Sequence, residues 1–282
     1  MKKLGLLGQS IQHSISPILH EAAFTALNLE HSYKIWDIDK TDLESFIDEI
    51  KNTPIDGFNI TIPYKESIMQ YIDVIDPAAE SIGAINTVIN QDGILTGYNT
   101  DLHGIEQTFK LLSEDLTNKS IALIGSGGAA KSLVYYLNTI DIASLLIVNR
   151  SKERAQDLME NVSTKSHVTI HDLNQDASDI INNADVIINS TPFGMNGSSL
   201  ANMLPPINFR LSEDHIVFDL VYNPGMTPLL HLAETARCKY IGGLDMLVYQ
   251  AAKAFEIWNK IYPDTEAMLH AGRQALKNEG SL

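Results

Sequence analysis

The sequence predicts an α/β protein with two domains: a smaller domain with a mixed sheet and a doubly wound domain with a parallel sheet. Short apolar segments of strand length alternate with helical patterns along most of the 282 residues, as in other α/β proteins. A glycine-rich turn at 125–130 separates an apolar segment from a helical pattern, which is typical of a doubly wound sheet. The chain is also long enough for two hydrophobic cores.

The first hundred residues contain strands, helices and one hairpin. The predicted strands are Leu4–Gly8, Tyr33–Ile38 and Phe58–Ile62, and the predicted helices are Pro17–Leu27 and Asp42–Lys51. An Asp-Gly dipeptide between two apolar runs in residues 87–98 predicts a hairpin. The first sheet is therefore expected to include an antiparallel element. We assign residues 1–103 to this smaller domain.

Further segments with strand composition follow residue 104, with helical patterns between several of them. They read IALIG, SLLIVNR, HVTIHDL, DVIINST and HIVFDLVY. Five or six strands joined by helical crossovers describe a doubly wound, Rossmann-type domain, which we assign to residues 104–240. The tail from Leu244 to Lys277 has a wholly helical pattern. We assign residues 241–282 to C-terminal helices that pack back on the first domain.

Composition and charge restrict the class of function. The formal net charge of −15 disfavours general nucleic-acid binding. No apolar run reaches the roughly 20 residues of a membrane-spanning helix, and the first residues resemble a strand rather than a signal peptide. The single cysteine, Cys238, suits a reducing cytoplasm. No metal-binding motif is present, and the sequence leaves open whether the protein is a monomer or a homodimer.

The glycine turn suits the pyrophosphate of a dinucleotide. Gly125 and Gly127 occupy the first two positions of the G-x-G-x-x-G pattern, and Ala130 occupies the third. Alanine is tolerated there because close helix–strand packing requires only a small side chain. The N–H groups that open the following helix would meet the phosphates. A tight turn without a ligand is the alternative.

The end of the next predicted strand indicates which dinucleotide binds. An NAD-binding domain usually has Asp or Glu there, but this chain has Asn149 and Arg150. Arg150 and Arg154 are cations suited to a 2′-phosphate, so we predict NADP. Ser151 is also placed to cap the next helix. Thr191, in STPFGM, follows a later strand where ligands bind in such sheets, and a plain Thr-Pro turn explains it equally well.

Polar residues occur at the ends of several elements of the first domain. In GFNITIPYKES, residues 57–67, alternation places Asn59 and Thr61 on one exposed face and Lys65 just beyond the strand. Taken alone, this segment reads better as an edge strand with a solvated lysine. Asn86 precedes another strand, however, and Asp101 begins a helix, where an N-cap role is the alternative. We therefore expect these side chains to converge.

The segment SISPILHEAAF, residues 14–24, predicts a helix start. Ser16 is placed as the N-cap and Pro17 as the first helical residue. A helix N-terminus presents free N–H groups and a partial positive charge, which suit an anion. Ser14 and Ser16 beside it would form a carboxylate site without an arginine.

Nine short motifs occur in order along nearly the whole chain. They are SxSP at Ser14–Pro17, NxTxPxK at Asn59–Lys65, GAINT at Gly83–Thr87, GxNTDxxG at Gly97–Gly104, GxGGAAK at Gly125–Lys131, NRS at Asn149–Ser151, STPxGM at Ser190–Met195, DxxYxP at Asp219–Pro224 and GxxMLVxQ at Gly243–Gln250. Each is weak alone, but together they are specific. The chain resembles the shikimate dehydrogenase family, and it departs from the family's pattern at no catalytic position.

The resemblance implies reversible reduction of 3-dehydroshikimate to shikimate with NADPH, in the biosynthesis of aromatic amino acids. The first domain would bind the substrate. Ser14 and Ser16 would hold the substrate carboxylate, and Lys65 and Asp101 would lie at the reacting centre. The ring oxygens would be held by Asn59, Thr61, Asn86, Tyr222 and Gln250.

The resemblance also implies which residues hold the cofactor NADP in the second domain. The pyrophosphate would be held by Gly125, Ser126, Gly127, Gly128 and Ala129. The adenosine 2′-phosphate would be held by Asn149, Arg150, Ser151 and Arg154. Thr191, Leu220 and Gly243 would line the nicotinamide half.

Several alternatives stay open at this point. Lys65 would either donate the proton or mainly orient the substrate, and Tyr222 is a weaker candidate for the donor. A quinate or dual quinate/shikimate dehydrogenase is a close rival. A methylenetetrahydrofolate dehydrogenase would share the architecture but would not need the paired serines. A non-catalytic sensor of shikimate or NADPH would not need Lys65 and Asp101.

Overall fold

The computed structural model of the protein describes residues 1–160 and 166–278 and contains two compact α/β units. The first comprises Met1–Gly104 and Val248–Ala275, and the second comprises Ile105–Leu247 with the chain end from Leu276. The second unit includes the last strand of its sheet, which ends at Gly242.

The first unit is built on a six-stranded mixed sheet. Its strands are β1 (Lys3–Gly8), β2 (Ser32–Asp37), β3 (Gly57–Ile60), β4 (Val74–Ile75), β5 (Thr87–Gln91) and β6 (Ile94–Tyr98). They lie in the order β2-β1-β3-β5-β6-β4, and the pairs β3–β5 and β5–β6 are antiparallel. Asp92 and Gly93 join β5 to β6 with φ of 54° and 86°, as in a two-residue type I′ turn. The predicted hairpin is confirmed.

Four helices follow these strands in the first part of the chain. They are α1 (Ser16–Ala26), α2 (Leu43–Lys51), α3 (Pro77–Ile82) and α4 (Asp101–Leu112), the last of which continues into the second unit. The buried face of α2 packs Leu43, Ile47 and Ile50 against Phe58 and Val88 of the sheet. The apolar spacing that predicts α1 and α2 therefore places both helices within one residue of the predicted bounds.

The second unit is built on a six-stranded parallel sheet. Its strands are β7 (Ser120–Ile124), β8 (Ser144–Asn149), β9 (His167–Asp172), β10 (Val186–Asn189), β11 (Ile216–Asp219) and β12 (Lys239–Gly242). Their order, β12-β11-β10-β7-β8-β9, reverses direction between β7 and β10. In doubly wound sheets, ligands bind outside the carboxyl ends of the strands at this reversal. The predicted doubly wound domain is confirmed.

The remaining helices cover this sheet or follow it. They are α5 (Gly128–Leu137), α6 (Lys152–Glu160), α7 (Ser178–Asn182), α8 (Pro228–Thr235), α9 (Gly243–Asn259) and α10 (Thr265–Asn278). The predicted continuous helical tail is wrong at one point, because the chain leaves the helix between α9 and α10. Lys260 there has a φ of 60°, and Pro263 lacks the N–H that a helix interior needs.

The C-terminal helix α9 is anchored in the first unit by Trp258. The indole Nε1 donates to the carbonyl oxygen of Val88 at 2.9 Å, and the side chain is fully buried. In the part of the chain that the structure describes, no helix combines the length and the apolar character needed to cross a membrane.

Candidate active site

Lys65 and Asp101 form a largely buried ion pair in the first unit. Lys65 Nζ lies 2.5 Å from Asp101 Oδ2, and the two side chains are 18% and 5% exposed. Lys65 follows β3, and its carbonyl oxygen accepts a hydrogen bond from the N–H of Ile85 at 2.8 Å. Asp101 is the first residue of α4. Two segments distant in sequence are therefore held so that opposite charges meet away from bulk water, where their attraction is strong.

Asn86 links this pair to the C-terminal helix. Its Nδ2 lies 2.9 Å from Asp101 Oδ1 and 3.2 Å from Gln250 Oε1 on α9. Its Oδ1 accepts a hydrogen bond from the N–H of Thr100 at 2.7 Å. Lys65, Asn86, Asp101 and Gln250 therefore form one polar cluster, which we call the lysine cluster. The structure brings these four of the predicted site residues together.

Asn59 differs from the expectation that it lies on an exposed face. It is only 5% exposed, and the whole of β3 is buried. The reason is that β3 lies in the interior of the sheet, between β1 and β5. The predicted strand is also too long, since β3 ends at Ile60 and Ile62 is 65% exposed. Thr61 lies just past the strand end, half-buried, and its N–H donates to Leu7 at 2.9 Å.

Tyr33 and His20 belong to the same buried network and were not predicted as site residues. The Tyr33 hydroxyl donates to Asn59 Oδ1 at 2.7 Å, and Asn59 Nδ2 donates to Thr87 Oγ1 at 3.0 Å. The His20 ring stacks on Tyr33 with ring centroids 4.3 Å apart. Burial lowers the pKa of His20 to about 3, so the ring is neutral near pH 7. Strand alternation predicts that Tyr33 is buried but not what its hydroxyl contacts.

Ser14 and Ser16 lie together at the start of α1, but Ser16 is not the N-cap. The helix begins at Ser16 itself, and no side chain caps it at Ile15. Ser14 Oγ instead accepts a hydrogen bond from the N–H of Ser16 at 3.3 Å and lies 3.2 Å from Ser16 Oγ. The predicted N-cap at Ser16 is therefore wrong by one position. The hydroxyl of Ser14, two residues before Ser16, accepts one N–H of the helix start instead, as in other local side-chain turns.

The glycine loop of the second unit has the geometry that a pyrophosphate requires. Gly125 follows β7 with a φ of 110°, and an added Cβ there would meet Ser190 Oγ. Gly127 is the N-cap residue of α5, and an added Cβ there would meet no atom within 4 Å. The space beside Gly127 is therefore open, and the first turn of α5, whose N–H groups favour an anion, follows it directly. Ala130 is fully buried, as the third position of the pattern requires.

Ser126, Gly128 and Ala129 complete this loop, and each is half-buried. Gly128 begins α5. The loop lies at the carboxyl end of β7, beside the reversal of strand order. The residues predicted for the pyrophosphate therefore fit a dinucleotide.

The end of β8 carries the residues predicted for the 2′-phosphate. Arg150 and Arg154 are exposed, and Asn149 Nδ2 donates to the carbonyl oxygen of Ser151 at 2.9 Å. Ser151 Oγ accepts from the N–H of Arg154 at 3.4 Å, which confirms the predicted cap. It also donates to Glu153 Oε2 at 2.7 Å. Glu153 is thus a carboxylate near this site that is not among the predicted residues.

Thr191, Leu220 and Gly243 lie in the segments that follow β10, β11 and β12. Thr191 Oγ1 donates to Asn189 Oδ1 at 2.5 Å, and the N–H of Leu220 donates to the carbonyl oxygen of Asn189 at 2.9 Å. Gly243 begins α9, and an added Cβ there would overlap the Leu220 carbonyl. Tyr222, which the resemblance groups with the substrate residues, is half-buried in the second unit.

Comparison with family models matches three parts of the chain. Residues 6–88 match the shikimate dehydrogenase substrate binding domain, and residues 107–197 match shikimate / quinate 5-dehydrogenase. Residues 243–271 match the shikimate 5'-dehydrogenase C-terminal domain.

Individual relatives match over nearly the full chain. The shikimate dehydrogenase (NADP(+)) of Methanococcus maripaludis is 41% identical over 268 residues, which cover 95% of both chains. The crystal structure of shikimate 5-dehydrogenase from Thermus thermophilus, in complex with NADP(H) and shikimate, has a TM-score of 0.82 at 31% identity and covers 98% of this chain and 100% of that chain. Quinate dehydrogenase from Corynebacterium glutamicum in complex with NAD has a TM-score of 0.85 at 30% identity, with 97% and 99% covered. These findings confirm the resemblance seen in the sequence, and the chain belongs to the shikimate dehydrogenase family.

Proposed function

We infer that this protein is an NADP-dependent oxidoreductase that interconverts 3-dehydroshikimate and shikimate on the route to aromatic amino acids. The observation that carries the proposal is the lysine cluster, in which a lysine ammonium and a carboxylate form a pair shielded from water. Two relatives that match nearly the whole chain are a shikimate dehydrogenase (NADP(+)) and a shikimate 5-dehydrogenase in complex with NADP(H) and shikimate. Reduction of a ketone requires a hydride and a proton, and this cluster contains a group suited to the proton.

Lys65 is the proposed source of the proton or the group that orients the ketone oxygen. When bound, the reduced cofactor supplies a hydride to the ketone carbon, so that the substrate oxygen gains negative charge. The ammonium of Lys65 has three N–H donors, of which one is directed to Asp101 Oδ2. The others are available for a substrate oxygen, where a preorganised donor stabilises the developing charge.

Asp101 is the proposed partner that fixes Lys65 and accepts a substrate hydroxyl. Its Oδ2 is held by Lys65 and its Oδ1 by Asn86 Nδ2. A carboxylate has about four lone-pair sites, so each oxygen can still accept one further hydrogen bond. Both catalytic side chains are thereby oriented before substrate binds, which lowers the cost of assembling the reacting geometry.

The other substrate contacts are proposed from the family pattern. Ser14 and Ser16 would bind the carboxylate through their hydroxyl groups, which lie together at the start of α1. The ring oxygens would contact Asn59, Thr61, Asn86, Tyr222 and Gln250. For Asn59, the hydrogen bond from its Nδ2 to the carbonyl oxygen of Asn86 at 3.2 Å supports a fixed amide orientation.

The proposed cofactor is NADP. Gly125–Ala129 would hold the pyrophosphate, and the open space at Gly127 supports this assignment. Asn149, Arg150, Ser151 and Arg154 would hold the 2′-phosphate, and the exposure of both arginines supports it. Thr191, Leu220 and Gly243 would line the nicotinamide half.

The domain roles follow the same proposal. Residues 1–103 would bind the substrate, residues 104–240 would bind NADP, and residues 241–282 would return to the substrate domain. A cytoplasmic location is proposed from the single cysteine, which suits a reducing compartment. The oligomeric state, monomer or homodimer, is open to measurement.

A quinate or dual quinate/shikimate dehydrogenase is the second candidate. It is favoured by the similarity to the quinate dehydrogenase of Corynebacterium glutamicum. Asn149 and Arg150 stand at the end of β8, where an NAD-binding domain usually has a carboxylate. These residues therefore favour NADP over NAD, and with it the biosynthetic reaction over the oxidation of quinate. A non-catalytic sensor is disfavoured, because it would have no need of the Lys65–Asp101 pair.

The test is the rate of cofactor reduction by the purified protein with shikimate or quinate, each supplied with NADP or NAD. We expect rapid reduction of NADP by shikimate and little reduction of NAD. Faster turnover of quinate would favour the second candidate. No reduction in any of the four combinations would contradict an enzymatic function.

A further inference from the structure

Asp219 is a buried carboxylate in the second unit that has no part in the mechanism above. It is the last residue of β11, is fully buried, and lies opposite Asn189, the last residue of β10. Its Oδ1 accepts from Asn189 Nδ2 at 2.9 Å and from the N–H of Val221 at 3.1 Å. Its Oδ2 accepts from Thr227 Oγ1 at 2.6 Å.

Asn189 and Thr227 belong to other segments, whereas Val221 lies two residues after Asp219. Asp219 therefore ties the end of β10 to the start of α8 and fixes the residues that follow β11. Asn189 precedes the loop of Thr191 and holds it through its own Oδ1, which accepts from the Thr191 N–H at 3.1 Å. Val221 follows Leu220 directly. Thr227 is the N-cap of α8 and accepts from the N–H of Leu230 at 3.2 Å.

A carboxylate is better suited to this position than the neutral amide of an asparagine. Ionised, it accepts at both oxygens and donates at neither, so three donors can converge on it. An asparagine would direct an NH2 group at one of these donors. All three donors are uncharged, and burial raises the pKa of Asp219 to about 6. Burial therefore makes the carboxylate costly in the folded state, and a compensating role in the loops that follow β10 and β11 would explain it.

We propose that Asp219 is a positioning residue that holds the Thr191 and Leu220 loops in the arrangement required by the nicotinamide half of NADP. The inference rests on the proposed function, because it assumes that NADP is the cofactor. The adenosine half depends on different segments, namely the glycine loop and the end of β8. Loss of the Asp219 contacts should therefore weaken recognition of one half of the cofactor and leave the other half unchanged.

Isothermal titration with NADP and with 2′,5′-ADP, which lacks the nicotinamide half, tests this separation. For Asp219→Asn, loss of buried hydrogen bonds worth about 1–3 kcal/mol predicts roughly 5- to 100-fold weaker binding of NADP. Binding of 2′,5′-ADP should stay within about twofold of the parent protein, since its contacts are intact. A matched control is Ser178→Ala, which removes a buried hydroxyl that accepts from the N–H of Asn208 at 3.0 Å in the same unit. It should leave the binding of both ligands unchanged.

Thr227 provides a second pair of variants in case Asp219→Asn does not fold. Thr227→Val removes one donor to Asp219 and should weaken NADP selectively, whereas Thr227→Ser keeps the hydroxyl and should bind as the parent does. Equal weakening of both ligands, or no effect on either, would overturn the inference while the proposed function stands. If the parent protein bound neither ligand, the proposed function would fail, and the inference with it.

Discussion

The Tyr33 hydroxyl donates a hydrogen bond of 2.7 Å to the amide oxygen of Asn59. Both residues are buried, and the amide nitrogen of Asn59 donates to Thr87 Oγ1 at 3.0 Å. The same nitrogen donates to the carbonyl oxygen of Asn86 at 3.2 Å. Because a carbonyl oxygen can only accept, this contact fixes which way the amide points, and the oxygen then faces the Tyr33 hydroxyl. A tyrosine on one strand thus satisfies the amide oxygen of a proposed substrate ligand on another.

Tyr33→Phe tests this orientation. Removing the hydroxyl leaves the Asn59 oxygen without its donor, at a cost of about 1–3 kcal/mol. We expect a several-fold higher KM for shikimate and an unchanged KM for NADP, measured in steady-state kinetics. Tyr64→Phe is the matched control, since it removes another tyrosine hydroxyl of the first unit, one that donates to Ile38 at 2.6 Å. If Tyr33→Phe and Tyr64→Phe had similar KM values for shikimate, Tyr33 would have no specific role in positioning Asn59.

The paired serines are expected to bind the substrate carboxylate. Hydrogen bonds to a charged group are worth about 1.5–3 kcal/mol each, so the double change Ser14→Ala and Ser16→Ala should weaken shikimate binding at least tenfold. The melting temperature should fall only modestly, because the hydrogen bond that α1 loses, from the N–H of Ser16 to Ser14 Oγ, is long at 3.3 Å. Isothermal titration and thermal melting measure the two effects. Ser45→Ala, at an exposed position of α2 in the same unit, is the control. If the double change lowered the melting temperature but left shikimate binding unchanged, the serines would have a structural role only.

Arg150 is expected to distinguish NADP from NAD. Arg150→Ala removes a cation that faces solvent at the end of β8, and the lost phosphate contact should raise the KM for NADP about tenfold or more. The KM for NAD, which lacks the 2′-phosphate, should change little. Arg210→Ala is the control, because Arg210 is an exposed arginine of the same unit that pairs with Asp179. Equal effects of Arg150→Ala on both cofactors would contradict the assignment.

The pKa of Asp219 predicts a pH dependence of stability. Burial raises this pKa from 3.8 to about 6, so between these values the folded protein binds more protons than the unfolded chain. The stability that this group contributes is present below pH 3.8 and is lost as the pH rises through 6. The total change corresponds to roughly 3 kcal/mol.

Asp219→Asn lacks this titration. Its unfolding midpoint should therefore rise relative to that of the parent protein as the pH increases from about 4 to about 7, measured by thermal unfolding at each pH. A difference between the two proteins that stays constant with pH would show that Asp219 titrates normally.

Local patterns predict much of the fold. The Asp92–Gly93 turn, the apolar faces of α1 and α2 and the glycine loop at Gly125 each depend on residues close in sequence, and the structure contains all of them. The break in the tail at Lys260 was missed, because the helical spacing continues through it and only Pro263 signals a change.

Local sequence patterns predict less of the candidate site. Convergence of Lys65, Asn86 and Asp101 follows from their positions at element ends, but the burial of Asn59 depends on where β3 lies in the sheet. The contact of Tyr33 with Asn59 joins strands whose order the sequence does not specify. The convergence of three donors on Asp219 likewise depends on segments that only the folded chain brings together.

The central claim is that Lys65, paired with Asp101, serves the reacting centre, and a single-turnover rate tests it most directly. The rate of NADP reduction by bound shikimate would be compared in the parent protein, Lys65→Ala and Lys51→Ala. Lys51 is the matched control, because it forms an ion pair of 2.9 Å with Asp73 in the same unit, with side chains 30% and 35% exposed. Lys65→Ala should slow the reaction by about 10²- to 10⁴-fold while shikimate binding weakens only modestly, and Lys51→Ala should react like the parent. A rate for Lys65→Ala close to that of the parent would contradict the account.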